Sequence, residues 1–197
     1  MQAIVDSQLS RIARVTQLDG VGDQGWVAVS PVIEQLVRAL RVVYPQHQFE
    51  VSSEESWALR IHEDDLLDML GNLMENACKY GAGKVRVTVA SSAEQGVSAT
   101  RSMQELQVWV EDNGPGIDPR LAEQALSRGM RLDLQTPGQG IGLAMVVELL
   151  SVYAGRIRSQ VSELGGAKFT LTFAQARVQS ATPVSYTHLT LPTILLV

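Results

Sequence analysis

Cysteine is almost missing from this chain: Cys78 is the single thiol among 197 residues. An intrachain disulfide framework is therefore excluded, which fits a reducing, cytoplasmic setting. Long apolar runs are missing too. No stretch approaches the ~18 residues that a membrane-spanning helix requires, and the N-terminus lacks the basic-then-apolar order of a signal peptide. Clustered positive charge is the third absence. The 16 Lys and Arg residues are scattered and the formal net charge is -5, which argues against a nucleic-acid surface, since phosphate backbones reward concentrated cations. What remains is an ordinary globular composition, 45% hydrophobic and 19% charged with only 7 prolines, at a length suited to one domain plus a peripheral segment.

The chain divides by pattern. Residues 1–17 place Ile4, Val5, Leu9, Ile12 and Val15 at roughly helical spacing, as at the end of a longer helix. Residues 18–25 hold three glycines and two aspartates, a linker composition, so the domain is expected over 26–174. It opens with a short strand at Trp26–Val29. A helix follows, with Ser30 as its cap and Pro31 at its first position, running through Ile33, Leu36, Val37 and Leu40 to Tyr44. Phe49–Ser53 and Trp57–Ile61 alternate like paired strands. A second helix over Glu63–Tyr80 carries Leu66, Leu67, Leu70, Leu73, Met74 and Ala77 on one face, with Cys78 in the apolar stripe as a small buried hydrophobe. Lys84–Ala90 and Leu106–Glu111 read as central strands joined by a polar, hairpin-like connection. From Asn113 to Gly138 the pattern weakens, with a short helix around Pro119–Ser127, and a lid is expected there. A third helix over Ile141–Tyr153 precedes a closing hairpin, Arg156–Ser162 and Ala167–Phe173, turning at Leu164-Gly165-Gly166. The order predicts an α/β fold, an open sheet covered by helices on one face. Residues 175–197 lose the pattern and are set aside as a disordered or non-native tail.

Three segments carry chemistry. In GNLMENACKY, residues Asn72, Asn76 and Lys79 are spaced i, i+4 and i+7 and share one helix stripe. Asn76 offers a neutral oxygen to a magnesium ion that keeps several waters, and Lys79 a point charge near phosphates. In VEDNGPGI, Asp112 ends a strand before Asn113-Gly114-Pro115-Gly116; its carboxylate can accept a hydrogen bond from an exocyclic amine, such as that of adenine, while glycine leaves space for a flat ring. In PGQGIGLAM, Gly138, Gly140 and Gly142 open a helix whose free N–H groups and positive dipole end favour phosphate oxygens. Each alone has a plainer reading: a β-turn for Asp112–Gly116, a satisfied core amide for Asn76, tight helix packing for the last glycines. The spacing is neither GxGxxG after a first strand nor GxxxxGK[ST], so dinucleotide and P-loop sites are disfavoured. The specific signal is the ordered trio.

That trio, with SRGMRLD between the glycine segments, resembles the catalytic, ATP-binding domain of bacterial sensor histidine kinases, part of the superfamily that includes gyrase, Hsp90 and MutL. The resemblance covers about residues 18–173. It implies a two-layer α/β sandwich, a mixed, mostly antiparallel sheet covered on one face by three helices, a lid between the glycine segments, and ATP with Mg²⁺ as ligand. By motif it places magnesium at Asn76, phosphates at Asn72 and Lys79, the nucleoside beside Tyr80 and adenine at Asp112. Gly114, Gly116 and Ile117 would border the base; Gly138, Gln139, Gly140, Gly142 and Leu143 would border the phosphates; Arg128 or Arg131 would reach the terminal phosphate from the lid. The implied partners are a dimerisation and histidine-phosphotransfer domain of the same kinase, whose last helix would end at residues 1–17, and a response regulator. The implied parent is a homodimer anchored in the bacterial inner membrane, with this domain on the cytoplasmic side.

Two departures bear on mechanism. Leu126 stands where many such kinases have a lid phenylalanine, and no phosphoacceptor helix is present. His62-Glu63 mimics the acceptor dipeptide but lacks the following Arg-Thr-Pro, so His62 reads as a surface or cap-proximal residue; His47 precedes a strand and His188 lies in the tail. The acceptor is expected outside this chain. Hydrolysing superfamily members carry glutamate four residues before the magnesium asparagine, whereas Asn72 stands there, and an amide is a poor base. Transfer to an imidazole needs mainly positioning and charge stabilisation. Glu75, about 100° around the helix from Asn76, is expected as surface charge. The competing readings are a non-catalytic ATP-dependent switch, or inactive kinase, and a superfamily ATPase.

Overall fold

The computed structural model describes residues 25–91, 104–117 and 141–179. In chain order these form β1 (Trp26–Ala28), α1 (Val29–Val43), β2 (Gln48–Ser53), β3 (Trp57–Arg60), α2 (Glu63–Tyr80), β4 (Lys84–Ser91), β5 (Gln104–Asp112), α3 (Ile141–Val152), β6 (Arg156–Val161) and β7 (Ala167–Val178). All seven strands belong to one sheet, ordered β1-β3-β7-β5-β4-β2, with β6 alongside β7. Every pairing is antiparallel except β2 with β4, giving the mixed sheet expected from the sequence.

Period-two alternation decides which face meets the helices. Val85, Val87 and Val89 of β4, Leu106, Val108 and Val110 of β5, and Phe169, Leu171 and Phe173 of β7 are buried in one core with Ile33 and Val37 of α1, Leu66, Leu70 and Leu73 of α2, and Val146 and Leu150 of α3. The alternate residues, Thr88, Trp109, Thr170 and Arg158 among them, form the opposite face of the sheet. The layers are thus one sheet and one set of three helices among the described residues.

Three expectations are corrected. β2 and β3 do not pair with each other. β2 runs parallel to β4, a ladder that needs a crossover, and the segment between them carries α2 for that purpose. β3 lies between β1 and β7, where Trp57, Ala58 and Leu59 are all buried in a continuous apolar run. Secondly, α1 begins at Val29 with Ala28 as N-cap and no side-chain cap, so Ser30 and Pro31 lie within the first turn. Val29 is fully buried, and packing fixes the start earlier than the capping pattern suggests. Proline is tolerated there because the first-turn N–H groups have no helical partner. Thirdly, β7 continues to Val178, past the boundary expected at residue 174; Ala176 is fully buried and pairs with Leu59 of β3. The N-terminal helix, the lid with its short helix and Leu126, and the tail beyond residue 179 lie outside the described residues.

α2 lies at the middle of the helical layer. Glu63, Asp64 and Asp65 occupy its first turn, where carboxylates complement the positive dipole end. Asp65 is nonetheless buried. The Tyr153 hydroxyl, just past α3, donates to its Oδ2 at 2.5 Å and accepts from the His62 N–H at 3.4 Å. This pins the end of α3 to the start of α2. Tyr153→Phe should lower stability by about 1.5–3 kcal/mol, the scale of a lost hydrogen bond to a charged group, seen as a lower urea midpoint at unchanged slope.

Cys78 is buried, as its place in the apolar stripe predicts, and burial pushes its thiol up to about 11, with Glu75 adding in the same direction. At pH 8 about one thiol in a thousand is ionised at that value. A thiol reagent should label the folded chain at least about a hundredfold more slowly than free cysteine, and at the ordinary rate once urea unfolds it.

Candidate nucleotide site

β5 delivers Asp112 to the end of the sheet, where the residue is only 6% exposed. Its Oδ1 accepts from the Gly114 N–H at 2.8 Å and the Ala167 N–H at 3.2 Å, and its backbone carbonyl accepts from the Gly166 N–H at 3.2 Å. One residue thus fixes its own following turn and the β6–β7 hairpin. Oδ2 carries no hydrogen bond to any described residue. A carboxylate held by one oxygen presents the other to a ligand donor.

The glycines around it are set by space. A Cβ at Gly114 would overlap the Tyr80 carbonyl at the end of α2, and one at Gly166 would overlap the Asp112 carboxylate. Gly116 has φ +78°, which favours glycine, and Ile117 beside it is 36% exposed. Asn113 ties the next loop down: its Oδ1 accepts from the Ala82 N–H at 3.0 Å and the Lys84 N–H at 2.9 Å. Behind these turns the Ser162 hydroxyl donates to the buried Glu111 carboxylate at 3.0 Å and accepts from the Leu164 N–H at 3.0 Å.

The α2 wall carries the asparagine stripe. Asn72 is half-buried; its Nδ2 donates to the Asp68 carbonyl at 2.6 Å, and a Cβ on Gly142 would stand 2.5 Å from its Oδ1. The first turn of α3 therefore lies directly against Asn72. Leu143, next in that turn, is half-buried against the core. Asn76 is half-buried too, and its amide has no hydrogen-bond partner among the described residues. Lys79, one turn on, is exposed and lies 2.9 Å from Glu75 Oε1; this contact raises the lysine pKa. Both side chains are about 45% exposed, so the pair contributes at most ~1 kcal/mol. Glu75 is surface charge, as expected. Tyr80 is 48% exposed at the end of α2.

The structure thus brings Asp112, Gly114, Gly116 and Tyr80 together at one end of α2, and Asn72 and Gly142 together in its middle. Gly138, Gln139, Gly140, Arg128 and Arg131 lie outside the described residues. Sequence reasoning missed Asn113 and Gly166. Gly165-Gly166 was legible only as a turn, and nothing local signals that the turn folds back on Asp112, 54 residues earlier in the chain. Two histidines lie among the described residues. His62 is the exposed N-cap of α2, and His47 is engaged through Nε2 with the Cys78 carbonyl at 3.0 Å, its Nδ1 buried without a partner.

Comparison with known proteins gives a consistent answer. The chain is 37% identical over 148 residues to the two-component sensor PhoQ of Pseudomonas aeruginosa, covering 74% of this chain and 31% of that protein. It is 34% identical over 149 residues to the virulence sensor histidine kinase PhoQ of Salmonella typhimurium, covering 75% and 28% respectively. The chain therefore spans about a third of the length of these relatives. In fold it is similar to a mycobacterial sensor histidine kinase, MprB, at a TM-score of 0.65 and 21% identity, over 80% of this chain and all of that one. The ATP-binding domain of PrrB from Mycobacterium tuberculosis gives a TM-score of 0.59 at 20% identity, over 78% and 98%. Residues 61–177, more than half of the chain and containing every described element of the site, match the family described as histidine kinase-, DNA gyrase B-, and HSP90-like ATPase, and the chain belongs to that family.

Proposed function

We propose that this chain is the catalytic ATP-binding domain of a two-component sensor histidine kinase, and that it moves the ATP γ-phosphoryl group to a histidine on a dimerisation domain of the same kinase. The observation that carries the reading is the pairing of a half-free Asp112 carboxylate with a glycine-opened helix set against the asparagine wall. In this reading Asp112 Oδ2 accepts from the adenine amine, Gly114, Gly116 and Ile117 border the base, and Tyr80 flanks the nucleoside. The start of α3, with Gly142 and Leu143, and the preceding Gly138, Gln139 and Gly140 of the sequence motif would offer backbone N–H groups to the phosphates. Asn72 and Lys79 complete the phosphate side, and Arg128 or Arg131 reaches the terminal phosphate.

Magnesium fits the donors present. Asn76 is a half-buried amide without a described partner, and no cluster of three or more His, Cys, Asp or Glu that could hold a metal occurs among the described residues. A single protein oxygen suits a cation that takes its remaining ligands from phosphate and water. Bound Mg²⁺ would neutralise charge on the phosphates. The chain's own residues orient the nucleotide and, with Asn72 in place of a carboxylate base, leave water unactivated. The nucleophile is then the partner's imidazole. Similarity to two-component sensors supports a dimerisation domain and a response regulator as partners; in this reading the regulator is PhoP-like and the parent is a membrane-anchored homodimer with this domain on the cytoplasmic side.

Titration of the chain with a fluorescent ATP analogue and Mg²⁺ should show saturable binding that Asp112→Asn weakens at least about tenfold, since the amide can turn a donor toward the amine. Absence of binding by the unsubstituted chain would remove the proposal. Phosphoryl transfer separates kinase from switch. With γ-labelled ATP, acid-labile label is expected on a separately prepared dimerisation domain of the Pseudomonas relative and none on this chain alone. Label on this chain would move the acceptor to His47 or His62.

A further inference from the structure

The sheet face away from the helices has no layer packed on it among the described residues, yet it is not a plain solvated surface. A groove of about 360 Å³ runs across β5, β7 and β6. Register places Trp109, Thr170 and Arg158 in one row across the three strands, with Lys168 and Gln160 paired in the adjacent row. The Lys168 ammonium lies 4.7 Å from the centre of the Trp109 indole. Arg158 is exposed and forms no ion pair among the described residues, whereas neighbouring Arg156 is already paired with Glu105 at 3.1 Å. Thr170, which lines the groove, is 8% exposed, and its Oγ1 is buried without a hydrogen-bond partner. A buried hydroxyl left unsatisfied is destabilising, so a site that offers it an acceptor gains.

We infer that this groove docks an extended acidic segment of a partner protein, with two carboxylates spaced two residues apart reaching Arg158 and Lys168. The spacing follows from the sheet. Arg158 and Lys168 are diagonal neighbours on antiparallel strands, about 7–8 Å apart at Cα, and alternate residues of an extended segment are about 6.5–7 Å apart on one face. The carboxylate at Arg158 is also the acceptor for the Thr170 hydroxyl once the guanidinium turns toward it. Trp109 on β5 supplies an apolar face beside Lys168, on the side of β7 away from Arg158, and holds the ammonium in place. Phosphate polymers and anionic membranes fit less well. They reward clusters of about four to eight cations, and here one of the three groove cations, Arg156, is neutralised by Glu105, while Lys84 and Arg86 farther along the sheet are held by Glu50. The surface is separate from the nucleotide site, which lies at the end of the sheet and in the helical layer.

The test uses the full chain and a labelled short peptide alternating Glu and Thr, followed by fluorescence anisotropy. Expected are saturable binding, at least about tenfold weaker binding by the Arg158→Gln/Lys168→Gln double variant, and about threefold weaker binding by Thr170→Val. The ATP-analogue affinity should stay unchanged in both variants, which also shows that they fold. A matching peptide with Gln for Glu should not bind. No binding of the acidic peptide, equal binding of the Gln peptide, or indifference to the double substitution overturns the inference. So does displacement of the peptide by a single-stranded oligonucleotide or anionic vesicles at lower charge concentration, which would assign the face to those polymers instead.

Discussion

Oδ1 of Asp112 holds together parts of the chain that would otherwise have no reason to meet. By accepting from both Gly114 and Ala167, it joins the turn after β5 to the start of β7, while the carbonyl of the same residue anchors Gly166 between them. Burying a carboxylate costs several kcal/mol even after relaxation. Two hydrogen bonds to a charged acceptor return about 1.5–3 kcal/mol each, so the arrangement is close to neutral for stability. What it gains is orientation: with Oδ1 occupied twice, the carboxylate cannot rotate freely, and Oδ2 keeps one direction. A binding group that must recognise an amine by a single oxygen needs that restraint more than it needs net stabilisation.

The glycines extend the same logic to the backbone. At Gly114 the strand exit crosses the end of α2 so closely that any side chain would strike the Tyr80 carbonyl, and at Gly166 the hairpin closes over Asp112 with no room for a methyl group. At Gly142 the contact is with a side chain tip, Asn72 Oδ1, which is tethered through its own amide to Asp68. These approaches remove side chains where a ligand would otherwise meet them and leave N–H groups and one carboxylate oxygen. Asn113 completes the frame by standing in for a strand partner, its side-chain oxygen satisfying two backbone donors of the loop into β4. Side chains here serve backbone geometry as much as chemistry.

Much of this was legible from sequence because it is local. α2 appeared from its apolar spacing with the same bounds the structure shows, β4, β5 and the closing hairpin from alternation, and Cys78 and Glu75 from their places on the helix. Asp112 stood out because an acid at a strand end before repeated glycines has few structural uses. The failures share a cause, which is that strand pairing and close approach are non-local. β2 and β3 look like a hairpin because only three residues separate them, yet β2 pairs with β4 beyond a whole helix and β3 with residues near 177. Ser30 and Pro31 form a capping pattern, but the burial of Val29 outweighs a cap worth about 1 kcal/mol. Gly166 and Asn113 carry no local signal, since what makes them matter is a neighbour distant in the chain.

Charge distribution explains how an acidic chain can present a site for a polyanion. A net charge of -5 would repel ATP if it acted as a uniform field, but at physiological salt that field decays over about 8 Å. In the proposed site, a phosphate would meet local groups: the amides of Asn72 and Asn76, the Lys79 ammonium, and the N–H groups at the start of α3. Glu63, Asp64 and Asp65 lie at the opposite end of α2, eleven to thirteen residues and roughly 17–20 Å from Asn76 at the helical rise, beyond effective reach. Glu75, next to Asn76 in sequence, already neutralises Lys79 in part. Because that pair is half-exposed and worth little, in the proposed site Lys79 could exchange its weak partner for a phosphate at little cost.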